Sequence, residues 1–124
     1  MGLSKAKILS ANDVKVSEPI PVKEWGGDVY VKTITGLERD AFEESYSEQK
    51  MKSFRVKFLV LTLCDETGER LFGDDDVALL GTKSSNIINA LFEKSWAHNA
   101  FNAEAVEEMG KDSPGVQSEG STSN

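Results

Sequence analysis

The chain holds one cysteine, Cys64, and one histidine, His98. No intrachain disulfide can form, and no Cys/His set for zinc can be assembled. Proline is scarce, with 3 residues in 124, and two of them, Pro19 and Pro21, fall together near the start. Lys and Arg form no cluster, which argues against nucleic acid as a partner, because phosphate neutralisation needs grouped cations. No segment approaches the ~20 consecutive apolar residues of a membrane span. The first eleven residues lack an apolar run of signal-peptide length. The start Met1-Gly2 is not followed by the Ser or Thr of a myristoylation motif, since Ala6 stands there.

What is present is acidic and modest in size. The chain carries a net charge of −7, and 39% of its residues are apolar. That length and composition predict one domain with one modest core and a soluble surface. Without disulfides, a cytoplasmic setting fits.

The order of local signals predicts a mainly helical α+β fold. It has an N-terminal β-hairpin, about four helices after it and a disordered C-terminal tail. Residues 1–19 read as an arm, and Asn12 to Pro21 as extended chain or a short edge strand. Gly26-Gly27-Asp28 is a turn signal between β-prone arms near 20–25 and 29–34. Thr35-Gly36-Leu37-Glu38 is a capping box, opening a helix from Gly36 to about Glu48. Its inner face is read as Leu37, Ala41, Phe42 and Tyr46. From Lys52 to Leu63 the signals conflict: alternation of Phe54, Val56, Phe58 and Val60 favours a strand, and length favours a helix.

Asp65 to Gly68 is a turn, and Arg70 to Phe72 is short and extended. Asp74, Asp75 and Asp76 suit the positive end of a brief helix that Gly81 stops. Ser84 or Ser85 caps the clearest helix, running to about Ala100 with Ile87, Ile88, Leu91, Phe92 and Trp96 as its stripe. A last short helix is expected over 103–109. From Gly110 to Asn124, Gly, Ser, Thr and Asn dominate, a composition that buries too little to offset its ordering entropy.

Catalysis finds no support in the residues. His98 sits on a last helical turn, where solvent-facing or capping roles are expected. Cys64 follows an apolar run and reads as a packing residue. Neither Asp65-Glu66-Thr67-Gly68-Glu69 nor Asp74-Asp75-Asp76 has calcium-loop spacing. Gly26-Gly27 belongs to no phosphate-binding pattern. No catalytic residue, cofactor or metal is therefore assigned. Binding of partner proteins remains, with Trp25, Trp96 and Phe101 as candidate contacts, because large aromatics anchor cores and interfaces alike.

Several stretches resemble the tail assembly chaperones of long-tailed bacteriophages. They are Trp25 to Val31, Thr35 to Glu43, Leu63 to Phe72 and Asp74 to Leu80, in matching order and spacing over about residues 20–110. The resemblance implies that 20–109 is the chaperone-like domain and that the disputed 53–63 segment is helical. It implies a protein that coats the tape measure protein during tail tube assembly in the host bacterial cytoplasm and is absent from the finished virion. Weak homo-oligomers are expected, since many copies would line one long partner.

The resemblance further implies a longer frameshifted product, whose extension recruits the tail tube protein. Met109-Gly110-Lys111 can be encoded ATG-GGA-AAG, which contains the slippery heptamer G-GGA-AAG in frame, so Gly110 and Lys111 mark the candidate slip position. The alternative is a small structural virion protein, such as a head–tail connector or tail component.

Overall fold

The computed structural model describes residues 2–49 and 53–99, with side chains described to Ser45 and again from Ser53. The expected helix over 103–109, Phe101 and the tail from Gly110 lie outside the described residues. The elements, in order, are α1 (Lys5–Ser10), β1 (Ile20–Val22), β2 (Gly27–Val31), α2 (Gly36–Gln49), α3 (Phe54–Thr62), β3 (Leu63–Cys64), α4 (Val77–Leu80) and α5 (Ser85–His98). The fold class is the expected one, mainly helical α+β, with a hairpin followed by four helices.

The hairpin is shorter than its sequence signals. Ile20 faces Val29, and Val22 faces Gly27, so β1 and β2 are antiparallel with narrow arms. Residues 23–25 wind into a 3-10 turn, placing Trp25 in the turn and not in an arm. Gly26 closes that turn at φ +80°, a conformation open to glycine at little cost, and its N–H bonds to the Val22 and Lys23 carbonyls. Pro21 sits on the outer strand, where a missing N–H is tolerated. β3 completes a three-stranded sheet in the order β1-β2-β3, pairing Cys64 with Tyr30 and Leu63 with Val31.

The arm departs from the expectation at one point. Residues 5–10 of the expected arm form a helix, α1. Its signal is local: the Ser4 hydroxyl accepts from the Lys7 N–H at 3.1 Å as an N-cap. The extended part behaves as expected. Val16 bridges to Lys32, and the Ser17 N–H donates to the Val31 carbonyl at 2.8 Å.

The capping box at α2 is complete. The Thr35 N–H donates to Glu38 Oε1 at 2.9 Å, and the Glu38 N–H donates to Thr35 Oγ1 at 3.1 Å. The expected inner face is corrected: Phe42 is buried at 5% exposure, whereas Leu37 is 82% exposed and Ala41 is exposed. α2 leans on the body through α3, so its burying stripe is narrower than the spacing of apolar residues implied.

The ambiguous segment is a helix, and burial explains why. α3 is apolar on two sides, so it cannot alternate one wet and one dry face as a half-exposed strand would. Leu59, Val60 and Leu63 join Val22, Val31, Leu80, Ile88 and Leu91 in one cluster. Phe54 and Phe58 join Phe42 and Trp96 in a second. Ring centroids there lie 4.9 Å apart for Phe58–Trp96 and 5.3 Å for Phe42–Phe58, both edge-on, which suits the aromatic quadrupole. The buried Thr62 hydroxyl is satisfied by the Phe58 carbonyl at 3.0 Å.

α5 carries the expected stripe, with Ile88, Leu91 and Trp96 buried and Ile87 and Phe92 half-buried. Ser84 is its N-cap residue, as expected, though its side chain makes no capping bond. Its C-terminus ends in a clamp. Asn99 Oδ1 accepts from the Ile34 N–H at 2.9 Å, and Asn99 Nδ2 donates to the Lys32 and Ser95 carbonyls. One side chain thus fixes the end of α5 to the chain entering α2.

Burial separates the residues that hold the fold from those that only look apolar. Phe58→Ala is expected to cost about 3–5 kcal/mol in urea unfolding, and Leu37→Ala to stay within about 0.5 kcal/mol. Similar costs for the two would contradict this packing.

Candidate partner-binding surface

His98 and Cys64 each have a structural part in the fold. His98 Nε2 donates to the Lys15 carbonyl at 3.0 Å, which ties the arm to α5. This is a packing role between elements, beyond the solvent-facing or capping role expected of it. Cys64 is fully buried in β3. Burial pushes its thiol pKa up, against a smaller lowering by Lys32, and nearby Asp65 raises it further. Asp65 is held below the usual carboxylate range by its bond from the Thr67 hydroxyl at 2.6 Å, helped by backbone N–H donors of the turn. That carboxylate organises the turn closed by Gly68 at φ +92°. Among the described residues, no group of three or more His, Cys, Asp or Glu side chains is placed to hold a metal ion. No described helix is long and apolar enough to cross a membrane.

The surface offers an apolar groove instead. Its walls are α2 on one side and α3 with α4 on the other, and its volume is about 410 Å³. Leu37, Ala41, Phe42, Val60, Leu61 and Val77 line it. Glu38, Lys57, Arg70 and Asp74 stand among them as the charged lining. Arg70 is held in place, with Nη2 on Asp74 at 3.0 Å and Nε donating to the Val60 carbonyl at 3.1 Å. Lys57 Nζ donates to Ser45 Oγ at 3.1 Å. A pocket of this size falls in the ~300–1,000 Å³ range of ligand sites, with apolar lining and few polar groups.

Large apolar side chains also stand in water elsewhere. Leu71 and Leu79 are 51% and 66% exposed, and Leu3 and Leu9 on the arm are each 73% exposed. An exposed leucine alone is ordinary, but among the described residues six large apolar side chains are exposed, three of them on one short arm.

Of the sequence candidates, Trp25 is half-buried against the sheet-side cluster. Trp96 is 8% exposed inside the aromatic cluster. Phe101, Gly110 and Lys111 lie outside the described residues. Trp25 and Trp96 belong to different clusters and form no joint surface. The groove escaped sequence reading because Leu37, Leu61 and Val77 come from three elements, and helical spacing assigned Leu37 to the interior.

No protein-family model matches the chain, and no curated protein sequence does. The fold does have a counterpart among solved structures. It is similar to the tail assembly chaperone of bacteriophage HK97, with a TM-score of 0.56 at 16% identity. The match covers 73% of this chain and 88% of that one. At that identity the likeness establishes a shared fold.

The burial of Cys64 has a direct consequence. Its neutral thiol is favoured by folding, so its contribution to stability is full below the ordinary thiol pKa of about 8.5. It is lost as pH rises from there through the raised folded value. At pH 8 the folded chain should react with an aromatic disulfide reagent at least ~100-fold more slowly than the urea-unfolded chain. Equal rates would place the thiol at the surface.

Proposed function

We propose that the chain is a tail assembly chaperone of a long-tailed bacteriophage. It binds and coats the tape measure protein during tail tube assembly in the host cytoplasm and leaves before the virion is complete. The observation that carries this reading is the shared fold with the HK97 tail assembly chaperone, spanning 88% of that chain. The succession of motifs from Trp25 to Leu80 supports it independently of the fold.

The physical task is to keep amphipathic helices of a long partner from self-associating. A small acidic body suits it, since net charge keeps the coated complex soluble and apolar side chains supply adhesion. Leu71 and Leu79 are the contacts proposed for the tape measure protein, with Trp25 and Phe101 as further candidates. Residues 20–109 form the working domain. A longer product of the same gene, formed by slippage at Gly110-Lys111, would bring in the tail tube protein.

Co-expression with the tape measure protein tests the reading. The wild-type chain should retain it at low salt, and the Leu71→Asp/Leu79→Asp double variant should retain at least tenfold less while keeping its helical circular dichroism. No retention by wild type would sink the proposal. Finding the chain by mass spectrometry in purified virions would favour the structural-protein alternative. Codons other than GGA-AAG at 110–111, with no other slip site nearby, would remove the frameshifted product.

A further inference from the structure

Helix α1 is folded yet buries none of its residues. Its six residues are far below the ~12–15 at which an isolated helix becomes even marginal in water. Ile8 and Leu9 on it are each more than half exposed. The arm is also cationic: Met1 to Asn12 hold Lys5 and Lys7 and no carboxylate, in a chain of net charge −7.

The arm is rooted at Lys15. Its N–H donates to Thr33 Oγ1 at 2.9 Å, and its carbonyl accepts from the Thr33 N–H at 3.0 Å. The same carbonyl accepts from His98 Nε2 at 3.0 Å. His98 ends α5, and Asn99 behind it is clamped to Lys32 and Ile34. The chain that continues from Asn99 therefore starts beside the root of the arm. α1 ends at Ser10, five residues before Lys15, and the helix expected over 103–109 starts five residues after His98. Five residues of extended chain reach at most about 18 Å, so the two segments can meet next to that junction.

The continuation has the complementary character. Ala100 to Met109 carry Glu104, Glu107 and Glu108 and no Lys or Arg. At helical spacing those carboxylates share one face, and Ala105, Val106 and Met109 share the opposite one. The arm offers the matching features, Ile8 and Leu9 for the apolar face and two lysines for the carboxylates.

We propose that 103–109 folds back as a helix onto α1 of the same chain. Ala105, Val106 and Met109 cover Ile8 and Leu9, and Lys5 and Lys7 reach the carboxylates along the borders of that contact. Two such short helices bind weakly as free segments; tethering at one junction gives the contact an effective concentration on the order of mM. The latch withdraws Ile8 and Leu9 from other partners and leaves Leu37, Leu71 and Leu79 on the body as open apolar surface. It is a contact within one chain and stands apart from the function proposed above.

The test uses the full chain. In Leu9→Cys/Val106→Cys, a short bis-maleimide at high dilution should join the two positions within one chain, as read by peptide mapping. Cys64 is fully buried and stays out of the reaction. In the wild type, the Ile8 amide, bonded to the Ser4 carbonyl at 3.0 Å, should exchange with deuterium at least tenfold more slowly than its unstructured rate. Val106→Asp should abolish that protection, and Glu107→Lys/Glu108→Lys should reduce it at least threefold. Amides of α3 should keep their wild-type protection in both variants, which separates loss of the latch from loss of the fold. An Ile8 amide exchanging at its unstructured rate in the wild type would overturn the proposal. Protection that survives both variants would overturn it too. Cross-linking only between chains, rising with concentration, would assign the arm to a second copy and overturn it. Protection that appears only with phosphatidylglycerol vesicles would assign the arm to a lipid surface, with the same result.

Discussion

The fold depends on the burial of α3 on two sides at once. Leu59 and Val60 serve the sheet-side cluster, and Phe54 and Phe58 serve the aromatic one. A helix that is apolar over so much of its circumference must be enclosed. β2 and β3, α4 and α5 enclose one side, and α2 with the far end of α5 enclose the other. Phe58, Leu59, Val60 and Thr62 have almost no exposed surface, so each neighbour's position is set by the shape of this helix.

The polar contacts then lock what packing has placed. Asn99 joins the end of α5 to the backbone at Lys32 and Ile34, and His98 beside it holds Lys15 of the arm. Arg70 reaches the Val60 carbonyl and Asp74, fastening the loop before α4 to α3. The Asn99 and His98 bonds join elements far apart in sequence, and hydrogen bonds of this kind make a modest net contribution to stability. His98 is thereby engaged on a backbone carbonyl, and Cys64 is enclosed in the sheet. α2 is held along one stripe only, and the groove is the consequence of that partial docking.

Much of this was legible in the residues. The Thr35–Glu38 capping box, the α5 stripe and the brief Asp74–Leu80 helix formed where the spacing placed them, whereas the hairpin turn closed earlier, over 23–26, with Gly27 and Asp28 already in β2. Two of the departures from expectation have opposite reasons. α1 was missed because a six-residue helix with one serine cap gives little periodic signal. Leu37 was assigned to the interior because spacing shows which residues share a face and does not show how wide a face the neighbours cover.

By itself the sequence determined composition, charge, turns and caps, since these depend on groups adjacent along the chain. Alternation and length balanced over 54–62; the family resemblance implied a helix there, and two-sided enclosure is the physical reason that it forms one. Tertiary structure alone decided that Trp96 packs inward while Leu37 stands in water, and that α2, α3 and α4 leave a groove between them. Those outcomes depend on which distant surfaces meet, and no local pattern encodes that.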